Sequence, residues 1–333
     1  MSLRICFYGS HPYDEDSFVE ANKEYGYDLV FYKGNLNQNN IVLAKESDVV
    51  CVFVNDTVDR EVIKQLAAYN VKMIALRCAG FNNLDLEAAE EFGIKVVRVP
   101  AYSPYAIAEH TVALMLALNR RIPRATWRTR DGNFSLHGLL GFDMHGKTAG
   151  IIGTGRIAKI LIQILKGFGM NVLAYDLYPD HKFAEEHKIK YVSLDDIYKY
   201  SDVISLHCPL TDDTKYLIND YSISKMKDGV MIINTGRGQL INTNALIAGL
   251  KSSKVGWAGL DVYEEENEYF YQDKSESIIN DDVLARLLSF NNVIVTSHQA
   301  FFTREALSNI SHTTLDNIKF FFEKSELPNE VKL

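Results

Sequence analysis

Short apolar runs separated by amphipathic stretches fill the first hundred residues. The runs "RICFYGS", "YDLVFYKG", "DVVCVFV", "VKMIALRC" and "IKVVRVP" have the length and β-branched content of strands. Between them, "DREVIKQLAAY" and "NLDLEAAEEFG" repeat their apolar positions at helical spacing. Strands alternating with helices predict a parallel sheet covered on both faces. Next comes "SPYAIAEHTVALMLALNRRIPRATWR", apolar nearly all round, which predicts a helix buried at a domain or subunit boundary. A second alternating series then begins: "TAGIIGTG", "NVLAYD", "KYVS", "DVISLHCP", "GVMIINTG", "WAGLDVY" and "NVIVTSH". Six or seven strands in this rhythm describe a doubly wound dinucleotide-binding fold. The tail "REALSNISHTTLDNIKFFFEK" is helical again. The pattern therefore predicts an α/β protein of two domains, residues 1–100 with 300–333 and an inserted 101–299, the last helix packing back on the first domain. Two lobes with a cleft between them suit a two-substrate enzyme.

Composition narrows the function classes. The 333 residues are 47% hydrophobic and 23% charged, as in ordinary globular proteins. A net charge of −8 without a basic block argues against nucleic acid or an anionic membrane as partner. The N-terminal apolar stretch is too short for a signal-peptide core and no run reaches transmembrane length, so a cytoplasmic protein is expected. Cys6, Cys51, Cys78 and Cys208 sit in or beside apolar runs without metal-type spacing, which predicts reduced thiols and no metal site.

Chemistry enters with Gly153-Thr-Gly155-Arg-Ile-Ala158, a G-x-G-x-x-A turn between a strand and a helix. Gly153 permits the tight turn, Gly155 lets the backbone approach a pyrophosphate, and Ala158 allows close helix–strand packing. The amides near Arg156 and Ile157 would open the helix toward the phosphates. Asp176 ends the next strand, 23 residues after Gly153, where a carboxylate binds an adenosine ribose and repels the extra phosphate of NADP. The expected cofactor is NAD.

The stretches "INTGRGQLIN", "GLDVYEEENEYF" and "TSHQAFFT" lie at C-terminal strand ends, where open parallel sheets bind ligands. They offer Arg237, Glu266 and His298. Hydride transfer between a 2-hydroxy acid and NAD needs these three chemistries: a fixed cation for the substrate carboxylate and carbonyl, a group exchanging the alcohol proton, and a carboxylate to orient that group. The residues alone leave rivals. His207 also ends a strand, Glu266 stands in an acidic run from Glu264 to Glu268, and His110 reads as packing or interface.

These stretches, with "RCAGFNNLDL", "PAYSPYAIAEHTVALML", "GIIGTGRIA", "SLHCPLTDDTKYLI" and "SHQAFFTREAL", make the chain resemble the D-isomer-specific 2-hydroxyacid dehydrogenases over almost its full length. The resemblance implies a flavodoxin-like catalytic domain interrupted by a Rossmann NAD-binding domain. It implies His298 as acid/base, Glu266 as its partner and Arg237 as carboxylate and carbonyl ligand. Cys208, Pro209, Thr214, Thr235, Gly236 and Asp261 would line the cofactor crevice. Amides near Ala79 and Gly80 would take the substrate carboxylate, while Phe53, Tyr102 and Phe301 would shape the pocket around a methyl group. The implied reaction is fermentative reduction of pyruvate to D-lactate with NADH, in a homodimer or a dimer of dimers. The alternatives are a dehydrogenase for a bulkier D-2-hydroxy acid, an NAD-sensing corepressor-like scaffold, and, more remotely, a methyltransferase sharing the glycine turn.

Overall fold

The computed structural model describes residues 2–324 and 327–332. The chain divides into two compact units, Met1–Ser103 with Phe302–Leu333, and Pro104–Phe301. The first unit holds five parallel strands, β1 (Arg4–Phe7), β2 (Asp28–Phe31), β3 (Val49–Val52), β4 (Met73–Leu76) and β5 (Lys95–Arg98), in the order β2-β1-β3-β4-β5. Helices α1 (Pro12–Asn22), α2 (Arg60–Ala68) and α3 (Leu86–Glu91) alternate with them. The apolar β3 and β4 are buried at every position, the consequence of cover on both faces. Just past β4, Arg77 is sealed in the interior: it donates from Nη2 to Gly9 O at 2.7 Å, and its guanidinium lies 5.1 Å from the Phe53 ring.

The second unit opens with α4 (Pro104–Asn119) and α5 (Ile122–Arg130). The single helix expected here is broken, because Arg121 takes a left-handed φ of 54° and Pro123 has no N–H for the preceding turn. The two halves differ in surroundings. α4 buries residues around most of its circumference and packs on the second unit's own sheet and glycine-loop helix, whereas α5 buries none. Six strands and their helices follow in strict alternation up to β11. They are β6 (Thr148–Ile152), α6 (Arg156–Gly167), β7 (Asn171–Tyr175), α7 (His181–His187), β8 (Lys190–Tyr191), α8 (Leu194–Tyr200), β9 (Val203–Leu206), α9 (Asp220–Lys225), β10 (Val230–Asn234), α10 (Thr243–Lys251) and β11 (Val255–Leu260). Then α11 (Asp282–Leu288) leads into β12 (Val293–Val295), giving a seven-stranded parallel sheet ordered β12-β11-β10-β9-β6-β7-β8. The order turns back between β6 and β9, the switch point at which such sheets bind ligands. The chain returns to the first unit in α12 (Arg304–Lys319), which meets α1 through Ser17 Oγ to Leu307 O at 3.0 Å and the turn after α1 through Tyr25 Oη to Asp316 Oδ1 at 2.8 Å.

Two glycines after β6 do different work. Gly153 has φ 88°, and a Cβ there would lie 2.5 Å from Cys208 N and 2.6 Å from the His207 carbonyl carbon. Its N–H also donates to Tyr175 O at 2.8 Å, so the loop is pressed between the ends of β7 and β9. Gly155 has φ −66°, and nothing lies within 4 Å of its missing Cβ. Gly153→Ala should therefore destabilise the fold by roughly 2 kcal/mol, from strained φ and backbone collision together. Gly155→Ala should unfold within about 0.5 kcal/mol of wild type. Urea denaturation of the two variants checks the contrast; equal midpoints would refute it.

Candidate active site

Three loops converge because their strands are neighbours: Arg237 follows β10, Asp261 and Glu266 follow β11, and His298 follows β12. The His298 imidazole faces Glu266, Nδ1 to Oε1 at 2.8 Å, both side chains about one-fifth exposed. The other Glu266 oxygen accepts the Tyr263 N–H at 2.9 Å, so the carboxylate is held from both sides. This settles which acid of the run meets the histidine. Glu264 instead accepts from Tyr216 Oη at 2.8 Å and Thr243 N at 2.7 Å, bracing two loops, and Glu265 is exposed.

His298 has a left-handed φ of 53°, a strained backbone for a side chain of this size. Its N–H donates to Asp261 O at 2.7 Å, and its carbonyl accepts from Tyr271 Oη at 3.0 Å. Asp261 is fully buried. Its carboxyl oxygens accept from Thr296 Oγ1 at 2.5 Å, Gln299 N at 2.9 Å and Ala300 N at 2.9 Å. Rather than offering a surface to a cofactor, as the sequence led us to expect, Asp261 organises the loop that carries His298. His110 joins from α4, its Nε2 3.1 Å from Thr296 Oγ1 and 3.4 Å from Asp261 Oδ1. Thr296 gives its own proton to Asp261, so it receives one from His110.

Arg237 is half-buried, its Nη1 donating to Gly236 O at 2.8 Å. Among the described residues no carboxylate lies within ion-pair distance of it, which leaves its charge and its remaining N–H donors for an anionic group. The reason for Gly238 beside it is steric: a Cβ there would lie 2.2 Å from the Tyr263 carbonyl. That contact ties the Arg237 turn to the segment holding Glu266. His207, the rival histidine, bonds Ser205 Oγ at 2.8 Å, and burial pushes it down to about 4. It is neutral near pH 7 and a poor proton donor.

The residues around the glycine loop fit a dinucleotide. Helices α2, α3 and α7 to α11 each have an Asp, Asn or Ser side chain capping their first-turn amides, whereas α6 begins at Gly155 with no side-chain cap. Its opening N–H groups at Arg156 and Ile157 are left for a phosphate. At the end of β7, Asp176 accepts from Thr154 N at 2.6 Å, Thr154 Oγ1 at 2.9 Å and Tyr178 N at 2.8 Å. Partial burial works against its charge, but these donors and Lys159 outweigh it and hold the carboxyl below its ordinary range. Of the other crevice residues, Cys208 adjoins Gly153, its thiol pushed up to about 11 by burial, and Pro209 is exposed. Thr214 Oγ1 donates to Pro209 O at 2.7 Å and so shapes that loop. Thr235 is buried with its hydroxyl 3.0 Å from Thr111 Oγ1, and Gly236 N donates to Asn234 Oδ1 at 3.0 Å.

The remaining expected residues are divided between the units. Phe53, Ala79, Gly80 and Tyr102 belong to the first, with Arg98 Nη1 donating to Ala79 O at 2.9 Å and Cys78 Sγ to Gly80 O at 3.2 Å. Phe301, buried, closes the second. Tyr271, Thr154, Gly238 and His110 were not recognised as contributors by the sequence reading. Only Gly238 carried a visible signal, as the second glycine flanking Arg237. No group of three or more His, Cys, Asp or Glu among the described residues could hold a metal ion, and no helix among them is long and apolar enough to cross a membrane.

The chain matches known proteins over nearly its whole length. Residues 112–300 match the family model described as D-isomer specific 2-hydroxyacid dehydrogenase, NAD binding domain. A 2-hydroxyacid dehydrogenase homolog of Haemophilus influenzae is 54% identical over 316 residues, 95% of each chain. The D-lactate dehydrogenase of Escherichia coli is 50% identical over 99% of this chain and 100% of its own. The apo-structure of the Escherichia coli D-lactate dehydrogenase superposes with a TM-score of 0.92 at 48% identity, covering 99% of this chain and 100% of that one. The chain belongs to the D-isomer-specific 2-hydroxyacid dehydrogenases, an enzyme of that family with its NAD-binding domain in the second unit.

Proposed function

We propose that the protein is a D-lactate dehydrogenase that reduces pyruvate with NADH. The observation that carries this reading is the His298–Glu266 pair, 2.8 Å apart and fixed from behind by Tyr263 N, on the loops after β12 and β11, beside the loop after β10 that bears Arg237. Arg237 takes the substrate carboxylate and polarises the carbonyl. His298 gives its proton to the developing alkoxide, and Glu266 faces the resulting change of charge. Bound NADH supplies the hydride. Asp176 favours NADH over NADPH by placing a negative charge beside the ribose site. Pyruvate is preferred to larger 2-oxo acids here because the full-length relative from Escherichia coli is named a D-lactate dehydrogenase.

We also propose that the protein is a homodimer or a dimer of dimers. α5 and the segment after it expose Trp127, Phe134, Leu136 and Leu140, the last 89% accessible. Large apolar side chains clustered this way mark an association surface.

Purified protein should oxidise NADH with pyruvate and yield D-lactate, with kcat/KM falling as the 2-oxo acid side chain grows. Chiral analysis of the product decides the matter: L-lactate, or no turnover, ends the assignment.

His298→Gln should lower kcat about 10²- to 10⁴-fold in both directions. Reduction consumes a proton, so its rate falls as pH rises, while lactate oxidation rises over the same interval. Glu266→Gln keeps the shape but removes the charge facing the imidazole, so kcat should fall about 10-fold or more in both directions. His207→Asn should leave both limbs in place, since His207 at about 4 is already neutral there. An unchanged kcat in Glu266→Gln would remove Glu266 from the role.

Trp127→Glu with Leu140→Asp should convert the oligomer to a single chain by light scattering while circular dichroism stays native. An unchanged mass would place the interface elsewhere.

A further inference from the structure

Between Gly153 and Gly155 stands Thr154, 5% exposed, whose hydroxyl ends a chain of hydrogen bonds with only one consistent direction. The chain starts at the Asp180 N–H, which can only donate, and reaches Tyr191 Oη at 3.1 Å. Tyr191 Oη must then direct its single proton to Thr154 Oγ1, 2.9 Å away. Thr154 Oγ1 in turn has one proton, and it goes to Asp176 Oδ2 at 2.9 Å. Each member is anchored independently. Asp180 caps α7 through Phe183 N at 3.0 Å and pairs with Lys159. Tyr191 is in register with Ala174 of β7, and the Thr154 N–H also binds Asp176 Oδ2, at 2.6 Å.

We propose that Thr154 and Tyr191 are positioning residues for cofactor choice: their relay fixes Asp176 in place, so that its charge cannot turn away from an incoming ribose phosphate. The proposal rests on the reading of Asp176 as the residue that discriminates NADH from NADPH. A carboxylate held by one backbone amide per oxygen retains some rotational freedom. A third donor with a frozen proton removes it, because rotation would leave the Thr154 hydroxyl without an acceptor in a buried site. A fixed carboxylate presents its remaining lone pairs to ribose hydroxyls at full strength and meets a phosphate with undiminished repulsion. The same relay links the glycine loop, β7, β8 and α7, so the carboxylate is set by the fold and not by the ligand.

The test is equilibrium binding of NADH and of NADPH to the full-length protein, read by coenzyme fluorescence without substrate. The quantity compared is the ratio of the two Kd values in wild type, Thr154→Val, Thr154→Ser, Tyr191→Phe and Asp176→Asn. Thr154→Val keeps the shape and removes the hydroxyl, and should shrink the preference for NADH by about 10-fold. Tyr191→Phe should shrink it by about 3-fold, since Thr154 keeps its bond to Asp176 but loses the lock on its proton. Thr154→Ser retains the hydroxyl and should restore the wild-type ratio. Asp176→Asn should shrink the ratio at least as far as Thr154→Val does. If Asp176→Asn collapses the ratio while Thr154→Val and Tyr191→Phe leave it alone, the relay has no part in discrimination. If Asp176→Asn leaves the ratio unchanged, the reading of Asp176 falls and the relay proposal falls with it. A proportional loss of both affinities in Thr154→Val also overturns the proposal, because general damage to the loop does not distinguish the two coenzymes.

Discussion

A buried carboxyl group governs the ends of β11 and β12. Removing such a group from water is costly unless hydrogen bonds replace the lost solvent. Asp261 meets that demand with the Thr296 hydroxyl and the Gln299 and Ala300 amides, all from the loop after β12. To deliver three donors to one side chain the loop must curl around it, and the curl puts His298 into the left-handed region with its N–H on Asp261 O. A strained φ of this kind persists where the surroundings over-determine it. The apolar α4 completes the arrangement from behind, since His110 gives Thr296 the proton that lets Thr296 pass its own to Asp261. The imidazole orientation therefore originates in a residue that has no surface of its own.

Backbone contact extends this order to the other two side chains. Parallel strands place their C-terminal loops side by side, about 5 Å apart, so neighbouring loops must either interlock or collide. Gly238 is the point of interlock: the turn carrying Arg237 rests against the Tyr263 carbonyl with no room for a Cβ. The Tyr263 N–H, on the far side of that same residue, holds Glu266. Arginine, acid and histidine are thus linked through one residue's main chain, which is why a glycine follows the arginine.

Much of this was legible in the sequence, and the boundary of legibility is physical. Periodicity marked every strand of both sheets because burial on both faces demands continuous apolar runs, and β9 and β10 are buried throughout. The glycine turn was visible because Gly153 meets Cys208 and His207, a steric demand that few residues can satisfy. Composition could not choose among Glu264, Glu265 and Glu266, since all three share one charge and one neighbourhood in the chain. Three-dimensional partners separate them: Tyr216 and Thr243 hold the first, and His298 faces the last. The break between α4 and α5 was hidden for a related reason. The polar Asn119-Arg120-Arg121 and Pro123 fit a kink in one helix or the start of a second equally, and the left-handed φ of Arg121 decides between them. Asp261 looked like a crevice residue and His110 like a packing or interface residue; the burial of Asp261 and the hydrogen bond between His110 and Thr296 assign both to the support of a loop.

The glycine loop shows how little sequence a demanding site can leave for variation. Gly153 is fixed by collision with the end of β9, and Gly155 begins a helix whose first amides face no side chain of the protein. The position between the two glycines is the one from which a short hydroxyl reaches Asp176. The loop thereby sets two opposite fields within three residues: the positive end of α6 is left uncapped, while a negative charge is pinned beside it at the end of β7. A pyrophosphate is attracted by the first and an extra ribose phosphate is repelled by the second. Because Thr154 bonds Asp176 through both its amide and its hydroxyl, neither field can be moved without moving the other.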